Sequence, residues 1–446
     1  MSIYDVAMQD DSLARRVWRI SWPMIISELG DSIYSITDTY FVSRLGRSAL
    51  GAVGIGSYLS WLFFVVAVLF YTGCLVYVSQ SYGAKKLDQA RKALGETIVY
   101  GSLVALVVAF IVYTFSPYIV AIIAGEQPEI IDLGSKYLAT RIFALPLVAI
   151  AWTMDSSLRA IGATKYSMIA VLSSAMLNIV LDPIFIYGLF GAPALGVVGA
   201  ALATVLSIAY MVPLEFFFIH HVGLMPKFSL KPRLIYEIMN IGAPTAAERL
   251  VFSLGSNAYM AFIARCGEAA LAAHQIGIRI ESFIYMPGFA FSVAASALVG
   301  QKIGAGDPDG AKAIGWETAK QATMLMGVLG VVVALTSQYL VLPFSPDPYV
   351  AWLASIYLIL AGLSEPGLAL LMTLGGGIRG SGNTRVPMMI NVAGLYMFRV
   401  MPAALLTRYI GVFGAWAAMF VDVYLRGLIF YIIYRRYFYR LIRRVV

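Results

Sequence analysis

Two carboxylates stand in otherwise apolar stretches of this chain. Asp38 lies in Tyr34-Ser35-Ile36-Thr37-Asp38-Thr39, and Asp182 lies in Asn178-Ile179-Val180-Leu181-Asp182-Pro183. Tyr34 and Asp38 are four residues apart, as are Asn178 and Asp182, so each pair shares one face of a helix. Asp31, seven residues before Asp38, falls on nearly the same face. A carboxylate in apolar surroundings can take up and release a proton, or hold a small cation such as Na+ with neutral polar groups beside it. Pro183 removes a backbone donor and leaves a carbonyl free. The competing readings are a satisfied acid near the outer end of a helix for Asp38, and a helix-end acid before a turn for Asp182, since Gly188 and Gly191 follow soon after.

Other candidates are weaker. Glu248 reads equally as a second coupling site or as a structural acid facing other helices; its neighbour Arg249 cannot share its helix face. Arg279 and Glu281, and the set Arg399, Asp422 and Arg426, read as interhelical pairs, while Glu28, Glu215 and Glu365 have no assigned role. No His/Cys/Asp cluster has metal-ligand spacing, and Gly304-Ala305-Gly306 is a loop turn with no strand before it. No Walker A sequence is present, which argues against ATP as the energy source, and no nucleophile–base pair suggests an enzyme. Nineteen methionines and many aromatic residues are mostly apolar filler and interface belts; some would suit a soft pocket for apolar cations.

The elements that must position these groups are membrane spans. The chain has 446 residues, 60% hydrophobic and 13% charged, with mean hydropathy +0.81; soluble domains carry about 25% charge. Two cysteines, Cys74 and Cys266, exclude a disulfide scaffold. A span needs about 20 mostly apolar residues. Twelve runs qualify, at 20–42, 54–80, 97–115, 137–157, 166–188, 197–219, 239–263, 271–299, 320–342, 350–375, 386–408 and 412–434. The net charge of +8 sits in short loops, so it reads as positive-inside bias and not as a nucleic-acid surface. One set of loops and termini carries 22 of the 32 basic residues, Arg159, Lys231 and Arg379 among them; the opposite set carries Arg44, Arg47, Lys136, Arg141, Arg265 and Arg408. Both termini are therefore expected in the cytoplasm, with the chain a multi-pass monomer of the plasma membrane in contact with lipid.

The chain also repeats itself. Shifted by 221 residues, Pro23 meets Pro244, Arg44 meets Arg265, Gly56 meets Gly277, Gln80 meets Gln301 and Asp88 meets Asp309. At an offset of 220, Pro146 meets Pro366, Arg159 meets Arg379 and Gly162 meets Gly382; after a loop-length change Gly196 and Gly199 meet Gly411 and Gly414. Polar and glycine matches in register imply two parallel six-helix halves, 1–222 and 223–446, of the kind that bind substrate between repeats and rock to alternate access. The repeat makes the acids informative. Asp38 meets Tyr259, Asn178 meets Phe398 and Asp182 meets Pro402, so this polar set belongs to the N-half alone.

The stretch from Pro23 through Asp38-Thr39-Tyr40-Phe41-Val42 to Arg44-Leu45-Gly46 resembles the first-span signature of the multidrug and toxic compound extrusion (MATE) transporters. Val299-Gly300-Gln301 with Gly304-Ala305-Gly306, Ala272-Ala273-His274-Gln275-Ile276 and Arg379-Gly380-Ser381-Gly382-Asn383-Thr384 fit the same family. The resemblance implies an all-α integral membrane protein with twelve helices in two lobes forming a V. It also implies export of organic cations and drugs by antiport against H+ or Na+, with no other cofactor. It is similar to the DinF-type branch, which implies a cation site at Asp38, Asn178 and Asp182 with Tyr34 and Thr204 beside them; Pro23 and Pro183 would supply bend points. Glu248 resembles a span-7 acid of the NorM-type branch, but the span-10 acid expected with it is missing. A lipid-linked oligosaccharide or lipid flippase of the same superfamily is the alternative; it would want a basic cavity, whereas these spans hold more acids than bases.

Overall fold

The structure is a computed structural model that describes residues 12–229 and 232–446; residues 1–11 and Lys231, counted above toward orientation, lie outside the described residues. It is all-helical. The helices α1 (Leu13–Ser43), α2 (Arg47–Gly83), α3 (Leu87–Ala124), α4 (Pro128–Arg141), α5 (Ala144–Ala160), α6 (Thr164–Tyr187) and α7 (Val197–His221) make the first half. The second half contains α8 (Pro232–Ala264), α9 (Glu268–Gly304), α10 (Pro308–Val341), α11 (Pro348–Gly380), α12 (Arg385–Gly394), α13 (Met401–Ile410) and α14 (Val412–Leu441).

These account for the twelve expected spans, with two irregularities that hydropathy does not register. The run expected at 137–157 is two helices, α4 and α5, bent by 45°. The run expected at 386–408 is interrupted by a π-helical segment, Leu395–Val400, that joins α12 to α13. Most rods outrun their apolar segments, because polar and charged turns continue the helix on either side. Among the described residues nine helical rods are long and apolar enough to cross a membrane, ten with the bent pair counted as one. The other two, α1 and α8, open the two halves; they are 31 and 33 residues long but more polar.

The chain clusters into two compact units. One gathers Leu29–Ser81 and Lys86–Ala246; the other gathers the described part of Met8–Glu28, Tyr82–Lys85 and Ala247–Val446. Apart from the short exchange at Tyr82–Lys85, the boundaries fall inside α1 and α8, a few residues after Pro23 and Pro244. In the first unit α6 packs along α7, and α4 and α5 pack on α3 and α7; in the second, α11 is central, against α9, α10 and α14.

The sequence repeat reappears in the backbone. Gly46 and Gly267, each before the second helix of its half, have φ of 110° and 112°, a region that glycine enters without a Cβ penalty. Tyr137 and Tyr357 are matched residues, both buried, and each lies against a matched glycine. A Cβ on Gly56 would stand 2.4 Å from the Tyr137 ring, and one on Gly277 would stand 2.1 Å from the Tyr357 ring. Each half thus builds the same socket, in which a tyrosine ring fills the space of an absent side chain.

The segment after α7 is strapped to the start of α3. Arg91 donates to the Gly223 carbonyl at 2.6 and 3.1 Å, and the Lys227 backbone N–H donates to the Arg91 carbonyl at 2.9 Å. Lys227 Nζ reaches Asp88 at 2.5 Å, and Ser229 donates to Glu96 at 2.6 Å. The C-terminal segment does the same in the second unit, where Tyr439 donates to Asp309 at 2.6 Å and Lys312 to the Arg435 carbonyl at 3.0 Å.

Candidate functional site

Asp38, Tyr34, Asn178, Asp182 and Thr204 all lie in the first unit. The face of α6 that carries Asn178 and Asp182 is buried, as is the face of α7 that carries Thr204 and Ser207. The Asn178 amide, oriented to satisfy both its ends, donates to Asp182 Oδ2 at 2.9 Å and accepts from the Thr204 backbone N–H at 3.1 Å. Tyr34 Oη lies 3.2 Å from Thr204 Oγ1, which ties α1 to α7. Asp182 is fully buried and Asp38 nearly so; Oδ1 of each has no hydrogen-bond partner among the described residues.

The structure adds a residue to this group that was counted above as an outward loop base. Arg141 is the last residue of α4, at the bend, and its guanidinium turns into the unit. Its Nη1 donates to Tyr137 Oη at 2.7 Å and to Thr204 Oγ1 at 3.2 Å. Tyr137 Oη also bonds Ser57 Oγ at 2.9 Å. Arg141 acts electrostatically on both Asp38 and Asp182. Two carboxylates and one guanidinium thus share a buried cluster, whose net charge with both acids ionised is one negative. A signal for Arg141 was present: its match at an offset of 220 is Ala361, so it is as private to the N-half as the acids are.

Glu248 has different surroundings. Arg379 Nη2 donates to its two oxygens at 2.8 and 3.0 Å, and Asn391 donates to Oε1 at 2.7 Å. Arg379, read above as a loop base, is thus the partner of an acid from α8. Arg159 likewise pairs with Asp155 at 2.6 Å. The expected interhelical pair of Arg399 and Asp422 is present at 2.8 Å, and Arg426 joins the same carboxylate from within α14. Among the described residues Glu281 has no ion pair with an arginine; it accepts from the Tyr357 hydroxyl. Pro23 and Pro183 both lie inside helices, α1 and α6.

The MatE family model matches residues 23–184 and again 244–405, two segments separated by the 221-residue offset of the internal repeat. The chain belongs to this family. A probable multidrug resistance protein NorM of Thermotoga maritima is 28% identical over 428 residues, covering 93% of this chain and 90% of the relative. One from Burkholderia mallei is 31% identical over 397 residues, covering 85% and 82%. Among solved structures, the Vibrio cholerae MATE transporter VcmN in its bent form superposes with a TM-score of 0.89 at 20% identity, covering 96% of this chain and 98% of that one. The chain is a multi-pass membrane transporter of this family and not an enzyme.

Proposed function

We propose that this chain exports organic cations and related drugs by antiport against H+, with alternating access through rocking of its two halves. The observation that carries the reading is the cluster around Arg141. Two carboxylates there, Asp38 and Asp182, each keep an oxygen without a hydrogen-bond partner among the described residues, whereas Glu248 is closed off by Arg379 and Asn391. A coupling site confined to the N-half supports the DinF-type branch over the NorM-type. The descriptions of the relatives as multidrug resistance proteins support drugs as the cargo.

The donor set supports H+ over Na+. The Asn178 carbonyl oxygen is engaged by a backbone N–H, and Thr204 Oγ1 accepts from Arg141, so few neutral oxygens are left to complete a shell for Na+. A fixed guanidinium also repels a second cation. A proton needs only one carboxylate oxygen, and one proton brings the cluster from one negative charge to zero. Protonation from outside would then loosen α1, with Pro23 and Pro183 as bend points. The drug leaves outward, the halves rock, and the proton leaves inward. A proton falling through 100 mV supplies about 2.3 kcal/mol. A thousandfold gradient of a neutral drug needs about 4.1 kcal/mol, so two protons per cycle suffice at this potential.

Uptake of radiolabelled tetraphenylphosphonium into proteoliposomes, with separate H+ and Na+ gradients, tests this. The H+ gradient alone should drive accumulation, and Asp38→Asn should reduce it at least a hundredfold with insertion intact. Full transport by Asp38→Asn, or loss of transport on Glu248→Gln in a protein that inserts and melts normally, would overturn the assignment.

A further inference from the structure

Two buried acids of the first unit take no part in the site at Asp38 and Asp182. Asp155 on α5 is paired with Arg159, whose Nε also donates to Ser167 Oγ of α6 at 3.1 Å. The Ser167 hydroxyl donates in turn to Asp155. Glu215 on α7 faces this group. It is 0% exposed, and neither of its carboxyl oxygens has a hydrogen-bond partner among the described residues. The charges that act on it are Asp155 and Arg159 from α5. On α6 the polar residues at the end nearer Arg159 are Lys165, Tyr166 and Ser167; from α4 the charged group is Arg141, which bonds Thr204 at the opposite end of α7. A buried carboxylate with no donor is strongly unfavourable, whereas a carboxyl holding a proton is not. Arg159 pairs with Asp155 and acts electrostatically on Glu215 as well.

Glu215 is also in line with the site at Asp182. The buried face of α7 runs Thr204, Ser207, Met211, Glu215, and that of α6 runs Asp182, Asn178, Ser174, Val171, Ser167. The two faces meet: the Asn178 amide bonds Thr204, and the Ser174 hydroxyl donates to the Ser207 carbonyl at 2.8 Å. At about 1.5 Å per residue, Glu215 lies about 17 Å along α7 from Thr204. A polar seam thus leads from the Asp38 and Asp182 cluster toward Glu215, broken once by Met211 and Val171.

We propose that Glu215, with Asp155 and Arg159 positioning it, is the inner protonation site of the coupling path. This rests on the H+ reading above. The proton held at Asp38 and Asp182 passes along the α6–α7 seam, each hydroxyl or water giving one proton on and receiving one, to the Glu215 carboxylate. It leaves from Glu215 on the side where Arg159 and Lys165 lie. Asp182 loses a proton and Glu215 gains it, so no other bond changes. While Glu215 is ionised, Arg159 turns from Asp155 to compensate it.

The test compares two measurements in the same proteoliposomes. One is uptake of tetraphenylphosphonium driven by a proton gradient, with a pH dye reporting proton movement. The other is exchange of labelled for unlabelled tetraphenylphosphonium with no gradient, which needs binding and rocking but no net proton transfer. Glu215→Gln should slow driven uptake and drug-dependent proton movement at least tenfold, and leave exchange within twofold of the unaltered protein. Glu215→Asp should recover at least a third of driven uptake. Driven uptake at the unaltered rate in Glu215→Gln overturns the proposal. So does equal loss of exchange and driven uptake in both variants, which marks a structural role. Asp38→Asn separates the two readings. If it is inactive while Glu215→Gln is normal, only the inner site falls; if it transports normally, the coupling site falls and the inner site with it.

Discussion

The two halves use one scaffold for different chemistry. In each, a buried tyrosine fills the space beside a matched glycine, Tyr137 on Gly56 and Tyr357 on Gly277. In the N-half the tyrosine hydroxyl touches Arg141 and Ser57; in the C-half it touches Glu281. Around the first socket stand Asp38, Asn178, Asp182 and Thr204. Their matches are Tyr259, Phe398, Pro402 and Met419, which bring no carboxylate. The second acid group differs in the same way. Asp155 and Glu215 match Gly375 and Phe430, and a Cβ on Gly375 would meet the Phe430 ring at 3.4 Å. Matched positions are therefore neighbours in both halves, occupied by two acids in one and by a ring over a glycine in the other. Helix packing is common to the halves, while these two groups of buried acids belong to the first alone.

The sharpest way to break this comparison is to remove charge from each half in turn. Asp182→Asn should lower gradient-driven drug uptake at least a hundredfold, while Glu248→Gln should leave uptake within about threefold. Glu248→Gln should instead cost about 3 kcal/mol of stability, because it strands a largely buried Arg379, and this would be read from thermal melting in detergent. Loss of uptake in Glu248→Gln at unchanged stability would reverse the roles of the halves. Arg141→Gln comes next, with an expected tenfold or larger loss of uptake and partial recovery in Arg141→Lys, which restores charge without the two-armed geometry.

A smaller effect separates scaffold from chemistry. Gly56→Ala and Gly277→Ala should each destabilise by about 1–3 kcal/mol through overpacking against a tyrosine ring. Only Gly56→Ala should also reduce uptake per folded molecule, since it moves the hydroxyl that holds Arg141. The smallest effect concerns the strap. Lys227 and Lys92 hold the Asp88 carboxyl down to about 2. The strap's stabilisation is therefore complete above the ordinary aspartate value of about 3.9 and is lost as pH falls through about 2. Hydrogen exchange at the Lys227 amide should stay protected at pH 5, and Asp88→Asn should speed it severalfold at pH 7.

Span positions, the internal repeat and the private acids were legible because each depends on residue type and spacing alone. Hydropathy finds the rods, and offsets of 221 and 220 align them without knowledge of their packing. What a charge touches was not legible. Arg141, Arg159 and Arg379 sit at or near helix ends, where a basic residue on a loop and one turned inward look alike in sequence. The structure turns all three toward buried partners; the asymmetry of the remaining basic residues is unaffected. The α4–α5 bend and the π segment at Leu395–Val400 were also missed. Pro146 has no N–H for the Ile142 carbonyl and Pro402 has none for the Phe398 carbonyl, so each irregularity lies one turn before a proline, a local signal that hydropathy does not register.

The strap over residues 223–229 bears on how this chain could be divided. Its anchors, Asp88, Arg91 and Glu96, belong to α3, so the strap travels with the N-half. A gene split after Ser229 keeps the strap on the same product as the α3 residues that hold it. A split at Val222 instead gives the second product a loose polar tail and leaves the first with an uncovered helix end. Coexpressed fragments should therefore reassemble into an active transporter from the first design and poorly from the second, which makes the far edge of the strap the natural seam for a two-piece version of the protein.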